Sequence, residues 1–325
     1  MDHLKVLFIT ALFHIRLPGA LGRGIRLPFD LILTNDREQI AKLLSTNFEL
    51  LAGQIETSAL RKAHAAIYSV TDHPQESLQK EDQVRSFLNA QLGRVQLFLL
   101  ALWLVKDNSV NFELGFLEYP HGNPHGSTVT SNFRAVRFSK ADGSFDLMEF
   151  TDSEARNSRD LFAKLFGADV VDRDEYRGFL VPEDFNRLSR VFYFVQAARG
   201  SSDLGSKIAR YVTCFEALFC TDSSEMAHKL AERVAFFLGD NAAERTNIFK
   251  SIKAAYSVRS KVVHGDKIGK KLAEQASDLC GICDELLRKS LAKILTTRGL
   301  PEIFLHPPHE LEKYLTGMVL GTTTC

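Results

Sequence analysis

The sequence predicts an α+β chain. It has a mixed α/β N-terminal region over 1–185, an all-α helical bundle over 186–300 and a C-terminal tail over 301–325. Three observations carry this division. Between 112 and 150, apolar and polar residues alternate in β-forming stretches separated by turn chemistry. Beyond 204, apolar residues recur at helical spacing with short connections, the pattern of antiparallel neighbours in a bundle. The charge also divides: residues 190–325 hold 19 Lys and Arg against 15 Asp and Glu, so the remainder carries −4 in a chain that sums to zero.

In chain order, "LKVLFITALFHIRLPGALG" (4–22) has the apolar heart and small-residue tail of a signal peptide. His14 and Arg16 interrupt it and no clear cleavage site follows, so it reads as a buried strand or short helix. Residues 36–62 read as helical, with Ile40, Leu43, Leu44, Phe48, Leu51 and Ile55 on one side and Asn35 or Asp36 as N-cap. A second helical stretch runs from about 74 to 105. Its "VQLFLLALWLV" (95–105) is too short to cross a bilayer and suits a core helix. "FELGFLEY" (112–119), "STVTSNFRAVRFS" (127–139) and "SFDLMEF" (144–150) read as strands. "PHGNPHG" (120–126) and "ADG" (141–143) read as turns. Thr151 or Asp152 caps a helix to about 166, and after the charged turn "DRDEYRG" another helix runs from Pro182 to about 199.

"ARGSSDLGS" (198–206) reads as a linker or loop. Four helical stripes follow. Leu204, Ile208, Tyr211, Phe215, Leu218 and Phe219 form the first; Met226, Leu230, Arg233 and Phe237 the second. Ile248, Ile252, Ala255, Arg259 and Val262 form the third; Leu272, Ala276, Leu279, Cys283, Leu286 and Ser290 the fourth, in a helix of about 24 residues.

Apolar content of 45% and charged content of 25% are those of an ordinary globular protein, and zero net charge supplies no global field toward nucleic acid or membrane. Five cysteines do not make a secretory framework and read as reduced thiols. The location expected from this is cytoplasmic, with no membrane partner.

The chemistry concentrates in the third stripe. Between Asn247 and Leu272 stand seven basic residues and one acidic one, Asp266. Lys253, Lys261 and Lys267 belong to this run and could hold phosphates. Three charges occupy apolar positions: Glu216, Arg233 and Arg259. A buried charge needs a partner, and a structural ion pair of Glu216 with Arg233 is one account. Arg259 and His264 lie five residues apart, about 140° around a helix and about 7.5 Å along it. Gly265 suits the position that ends the helix. A permanently charged planar donor and a group titrating near neutrality suit phosphoryl chemistry, the arginine steadying the transition state and the histidine moving a proton. Tyr256, Ser260 and His264 share a helical face.

The run "KLAERVAFFLGDNAAERTNIFKSIKAAYSVRSKVVHG" (229–265), preceded by "ARYVTCFEALF" (209–219), resembles the Apea-like branch of the HEPN superfamily. The resemblance covers about 204–296. It implies a HEPN-type helical bundle that pairs across its motif helices as a homodimer. It also implies a metal-independent endoribonuclease whose R-x4-H motif is Arg259 and His264, supported by Ser260, Tyr256, Glu216 and Arg233. The ribose 2′-OH of RNA would attack the adjacent phosphate, with no cofactor and no metal. Such chains act in anti-phage defence or toxin-like growth arrest, with a protein regulator or phage-derived trigger sensed by the N-terminal region. The residue after the arginine, often Asn, Asp or His in active members, is Ser260 here. The alternative is therefore a non-catalytic module that binds RNA, a nucleotide or a protein partner.

Other signals read as structural. "CGIC" (280–283) lacks a second cysteine pair at zinc spacing and reads as core. "HGNPH" (121–125) and "HPPH" (306–309) read as proline-rich loops, and "GALGRG" (19–24) lacks the lysine and hydroxyl of a phosphate-binding loop.

Overall fold

The computed structural model describes residues 3–74, 78–120, 126–134, 137–167, 186–222 and 225–322, which form an α+β protein of two compact units. The expected "HGNPH" turn and "DRDEYRG" turn lie outside the described residues.

The first unit takes the described residues up to 137 together with 146–166. Its frame is a six-stranded antiparallel sheet in the order β3-β4-β5-β1-β6-β7. The strands are β1 (His3–Leu12), β3 (Ile25–Arg26), β4 (Ile32–Thr34), β5 (Ala65–Pro74), β6 (Leu114–Pro120) and β7 (Ser127–Phe133). β2 (Ile15–Arg16) pairs in parallel with β8 (Met148–Glu149). The apolar N-terminal stretch is thus an inner strand, flanked by β5 and β6.

Alternation decides its two faces. Leu7, Ile9 and Ala11 pack with Ile40, Leu44, Phe48 and Leu60 beneath three short helices, α1 (Arg37–Leu43), α2 (Thr46–Ala52) and α3 (Gln54–Lys62). The long helix α4 (Glu81–Val105) packs on β6 and β7. A Cβ at Gly115 of β6 would sit 2.4 Å from the Leu92 Cδ2 of α4, so a larger residue there requires the Leu92 side chain to shift. α4 is long and apolar enough to cross a membrane, but 78% of its apolar window is buried inside the fold. α5 (Asp152–Gly167) starts from Thr151, whose hydroxyl accepts from the Glu154 amide while its own amide donates to the Glu154 carboxylate.

Several expectations change. The helix over 36–62 is three helices, because Ser45 caps a new start and Gly53 (φ 97°) breaks the next. Leu51 and Ile55, read on the same side as Ile40 and Phe48, are exposed. Residues 65–74 are a strand, and the helix read from 74 begins at Glu81. The strand read over 127–139 ends at Phe133, and "SFDLMEF" contributes only two strand residues.

The second unit takes 138–145 and the described residues from 186 onward. Its helices are α6 (Arg187–Arg199), α7 (Leu204–Phe219), α8 (Met226–Leu238), α9 (Ala242–His264), α10 (Lys270–Glu274), α11 (Ala276–Thr296), α12 (Leu300–Leu305) and α13 (Pro308–Val319). α7 is packed against α6, α9 and α11, and α8 against α9. The stretch 198–206 is no domain linker but the turn between α6 and α7, with Asp203 capping α7. The expected 24-residue helix breaks at Gln275 into α10 and the 21-residue α11.

Within the expected tail, residues 301–319 carry helix and core residues. Phe304 lies edge-on to Phe219 and Phe237, and Leu311 and Leu315 are fully buried. Residues 138–145 fold with the helices although the sequence reading placed them in the first region. Fully buried Lys207 donates to the Ser139 hydroxyl (2.7 Å) and to the Lys140 carbonyl, and Arg199 lies over the Phe138 ring.

Candidate functional site

α9 carries the residues singled out from the sequence. Asn241 caps its start by accepting from the Glu244 amide at 3.0 Å. Gly265 ends it in the left-handed conformation (φ 76°, ψ 15°), a shape that costs glycine little. The Gly265 amide donates to the Val262 carbonyl, and the Asp266 amide to that of Lys261 at 2.8 Å. His264 is therefore the last helical residue, and it is exposed. Only Ile252, Ala255 and Val258 of this 23-residue helix are buried, while Tyr256, Arg259, Ser260 and Lys261 are half-buried at its margin.

Arg259 sits at the margin of that buried stripe. Its Nη2 donates to Glu216 Oε2 on α7 at 3.2 Å, with side-chain exposures of 26% and 11%. Its guanidinium carbon lies 5.7 Å from the Tyr256 ring centre. The pair is incompletely satisfied: Arg259 Nε and Glu216 Oε1 are buried without a hydrogen-bond partner. Burial pushes the Glu216 carboxyl above its ordinary range, against the pull of the Arg259 charge and hydrogen bond.

Around this pair the surface is basic. Lys253 and Lys267 are exposed, Lys261 and Ser260 half-buried. The Lys253 ammonium lies 5.7 Å from the Phe249 ring centre. Arg259 and His264 remain about 140° apart around the helix axis, so within one chain they do not face the same way.

The expected pairing of Glu216 with Arg233 is not what forms. Arg233 Nη2 donates to both carboxylate oxygens of Glu312 on α13, at 2.6 and 2.8 Å, and its Nη1 donates to the Phe219 carbonyl at 2.7 Å. Thr221 and Thr316 also donate to Glu312. α13 brings a carboxylate to Arg233, which leaves Glu216 to Arg259. Sequence reasoning missed Glu312 because it lay in a stretch read as tail.

A further buried group escaped notice. The Tyr211 hydroxyl donates to Asp284 at 2.7 Å and Arg288 Nε donates to the other Asp284 oxygen at 2.7 Å, joining α7 to α11. Tyr211 and Asp284 are fully buried, out of a solute's reach. Cys280 and Cys283 of "CGIC" are core residues, and burial pushes the Cys283 thiol well above its ordinary range. Among the described residues no three His, Cys, Asp or Glu side chains gather as metal ligands would. A scan against protein-family models and searches of curated proteins and of solved structures returned no match to this chain.

Proposed function

We propose that this chain is a metal-independent endoribonuclease of the HEPN type, in which Arg259 takes the scissile phosphate and His264 moves the proton. The observation that carries this reading is the incomplete satisfaction of Arg259. It is held in place by one 3.2 Å contact to Glu216, keeps a buried N–H without a partner, and stands five residues before an exposed histidine at the helix end. The buried Nε is out of a ligand's reach, but Glu216 takes only one of the terminal N–H groups and the side chain is 26% exposed, which leaves Nη donors for phosphate oxygens.

In the proposed step His264 takes the proton of the ribose 2′-OH. The freed oxygen attacks the adjacent phosphorus, and the 5′-oxygen leaves with a proton from a second histidine or water. The product is a 2′,3′-cyclic phosphate, which only RNA can form. Because Arg259 and His264 diverge around α9, two copies of the helix facing each other across a two-fold would supply both groups to one phosphate. Lys253, Lys261 and Lys267 would hold the flanking backbone. In this reading the protein is cytoplasmic and acts in anti-phage defence or growth arrest, with the first unit receiving a regulator or phage-derived trigger.

A second reading is a non-catalytic module that binds RNA, a nucleotide or a protein partner. The half-buried Ser260 after the arginine, and the neutralisation of Arg259 by Glu216, favour it. RNA incubated in EDTA with the parent chain, His264→Ala and Arg259→Ala separates the two. The nuclease reading expects cyclic phosphate ends from the parent and a loss of at least about 100-fold in each variant. Equal cleavage by all three overturns the assignment. Binding without cleavage by the parent supports the module.

A further inference from the structure

The three short helices cover their face of the sheet incompletely. Ile9 and Ala11 of β1 pack beneath α1, α2 and α3, but Val70 of β5, the register partner of Leu7, is 37% exposed. A pocket of about 300 Å³ opens there, at the lower end of the range of small-molecule sites. Its lining includes Leu7 and Val70, Lys5 of β1, Lys42 and Leu43 at the end of α1, and Glu118 of β6. All of these residues belong to the first unit.

The charges in this pocket are set apart rather than paired. Glu118 is half-buried, and its Oε1 accepts from the Ser45 hydroxyl at 2.9 Å and from the Ser127 hydroxyl at 2.7 Å. Asn47 Nδ2 donates in turn to the Ser127 hydroxyl oxygen at 2.6 Å. These bonds orient the carboxylate, and among the described residues no donor reaches its Oε2. Lys5 and Lys42 are exposed, and among the described residues neither makes a hydrogen bond or an ion pair. Asp72 stands opposite Lys5 in the strand register but forms no ion pair with it. Two ammoniums and one carboxylate thus line the pocket, with one positive charge in excess. A purely structural set would close on itself, as Arg233 does on Glu312.

Three complements follow from this lining. An anionic group answers the two ammoniums. A hydroxyl or amine proton answers the open oxygen of Glu118. An apolar or planar body covers Leu7, Leu43 and Val70. We propose that this pocket binds a small organic anion of that kind, a phosphate ester or carboxylate with an apolar body and a donor group. The pocket lies in the first unit and is independent of the ribonuclease reading.

Lysine trapping in the full chain tests it. Pyridoxal 5′-phosphate carries a planar ring, a hydroxyl and a phosphate, and its aldehyde condenses with a lysine amine, releasing water. Borohydride reduces the imine to a stable secondary amine, and peptide mass spectrometry reads which lysine carries it. Lys5 or Lys42 is expected to label at least about tenfold faster than Lys62 and Lys80, which are exposed outside the pocket. Pyridoxal, which lacks the phosphate, should lose that preference. Lys42→Gln should slow labelling of Lys5 about tenfold, and Lys5→Gln that of Lys42, because the anion then loses its second ammonium. A circular dichroism spectrum matching the parent excludes misfolding in either variant. Phenyl phosphate and 4-hydroxybenzoate tell the two anion classes apart by which one protects the labelled lysine. Labelling no faster than at Lys62 and Lys80 overturns the proposal. So does an equal preference with pyridoxal, or protection by neither anion.

Discussion

Two arginine–glutamate pairs in the helical unit use the same residue types to opposite ends. Arg233 and Glu312 form a closed set: two bonds between them, a third from Arg233 to a main-chain carbonyl, and two threonine hydroxyls completing the carboxylate. Arg259 and Glu216 share one bond and leave a buried atom unsatisfied on each side. The first arginine spends its donors on the fold, tying α8 to α13. The second does not, and its side chain stays a quarter exposed. Both lie on apolar stripes, but Arg233 is 6% exposed and Arg259 26%. The count of satisfied valences separates them in the same direction.

The largest effect expected from this contrast is on stability. Arg233→Met keeps the bulk but strips the buried Phe219 carbonyl of its donor and breaks the bond to Glu312. A wholly buried pair would cost more, but Glu312 is 36% exposed and can hydrate. The expected loss is about 3 kcal/mol in denaturant unfolding of the full chain followed by helical circular dichroism. A loss below about 1 kcal/mol would erase the distinction, since that is the range of surface pairs.

Acid provides the next test, because the two carboxylates respond with opposite sign. Burial pushes Glu312 up, but the bonds from Thr221 and Arg233 outweigh it and hold its carboxyl below the ordinary range. Its contribution is present at neutral pH and is lost as pH falls below the unfolded value of about 4.3. Glu216 is raised, so its ionised form costs stability, and that cost is relieved as pH falls through its folded value. Glu312→Gln should flatten the loss of stability between neutral and acidic pH, and Glu216→Gln should steepen it. Denaturant midpoints at three pH values read both slopes. Slopes of the same sign would mean that the two environments are alike.

The sequence made one half of this contrast visible and hid the other. Three charges on apolar stripes mark Glu216, Arg233 and Arg259 as needing partners, and Gly265 marks the end of α9; both are local signals. Which charge pairs with which is tertiary. Glu312 follows "HPPH", where prolines suggested a loop; Pro308 instead occupies the first turn of α13, where a missing N–H costs nothing. The same locality explains 36–62. Its apolar spacing runs on through Ser45 and Gly53, so the pattern cannot show that the chain turns there and leaves Leu51 and Ile55 in solvent. That β7 is an edge strand is legible only once the strand order is known, because an inner strand could carry the same seven residues.

The smallest expected effect is the most discriminating. A double-mutant cycle of Arg259→Gln and Glu216→Gln isolates the coupling between those two side chains from whatever else each does. One 3.2 Å bond, with the arginine a quarter exposed and the carboxylate disfavoured in its charged form, should return about 0.5 kcal/mol. The equivalent cycle on Arg233 and Glu312 should return several times that. If instead the two cycles agree, Arg259 is bound into the fold no less firmly than Arg233. Its Nη donors would then serve the fold rather than a phosphate, and the ribonuclease reading would lose the observation that carries it.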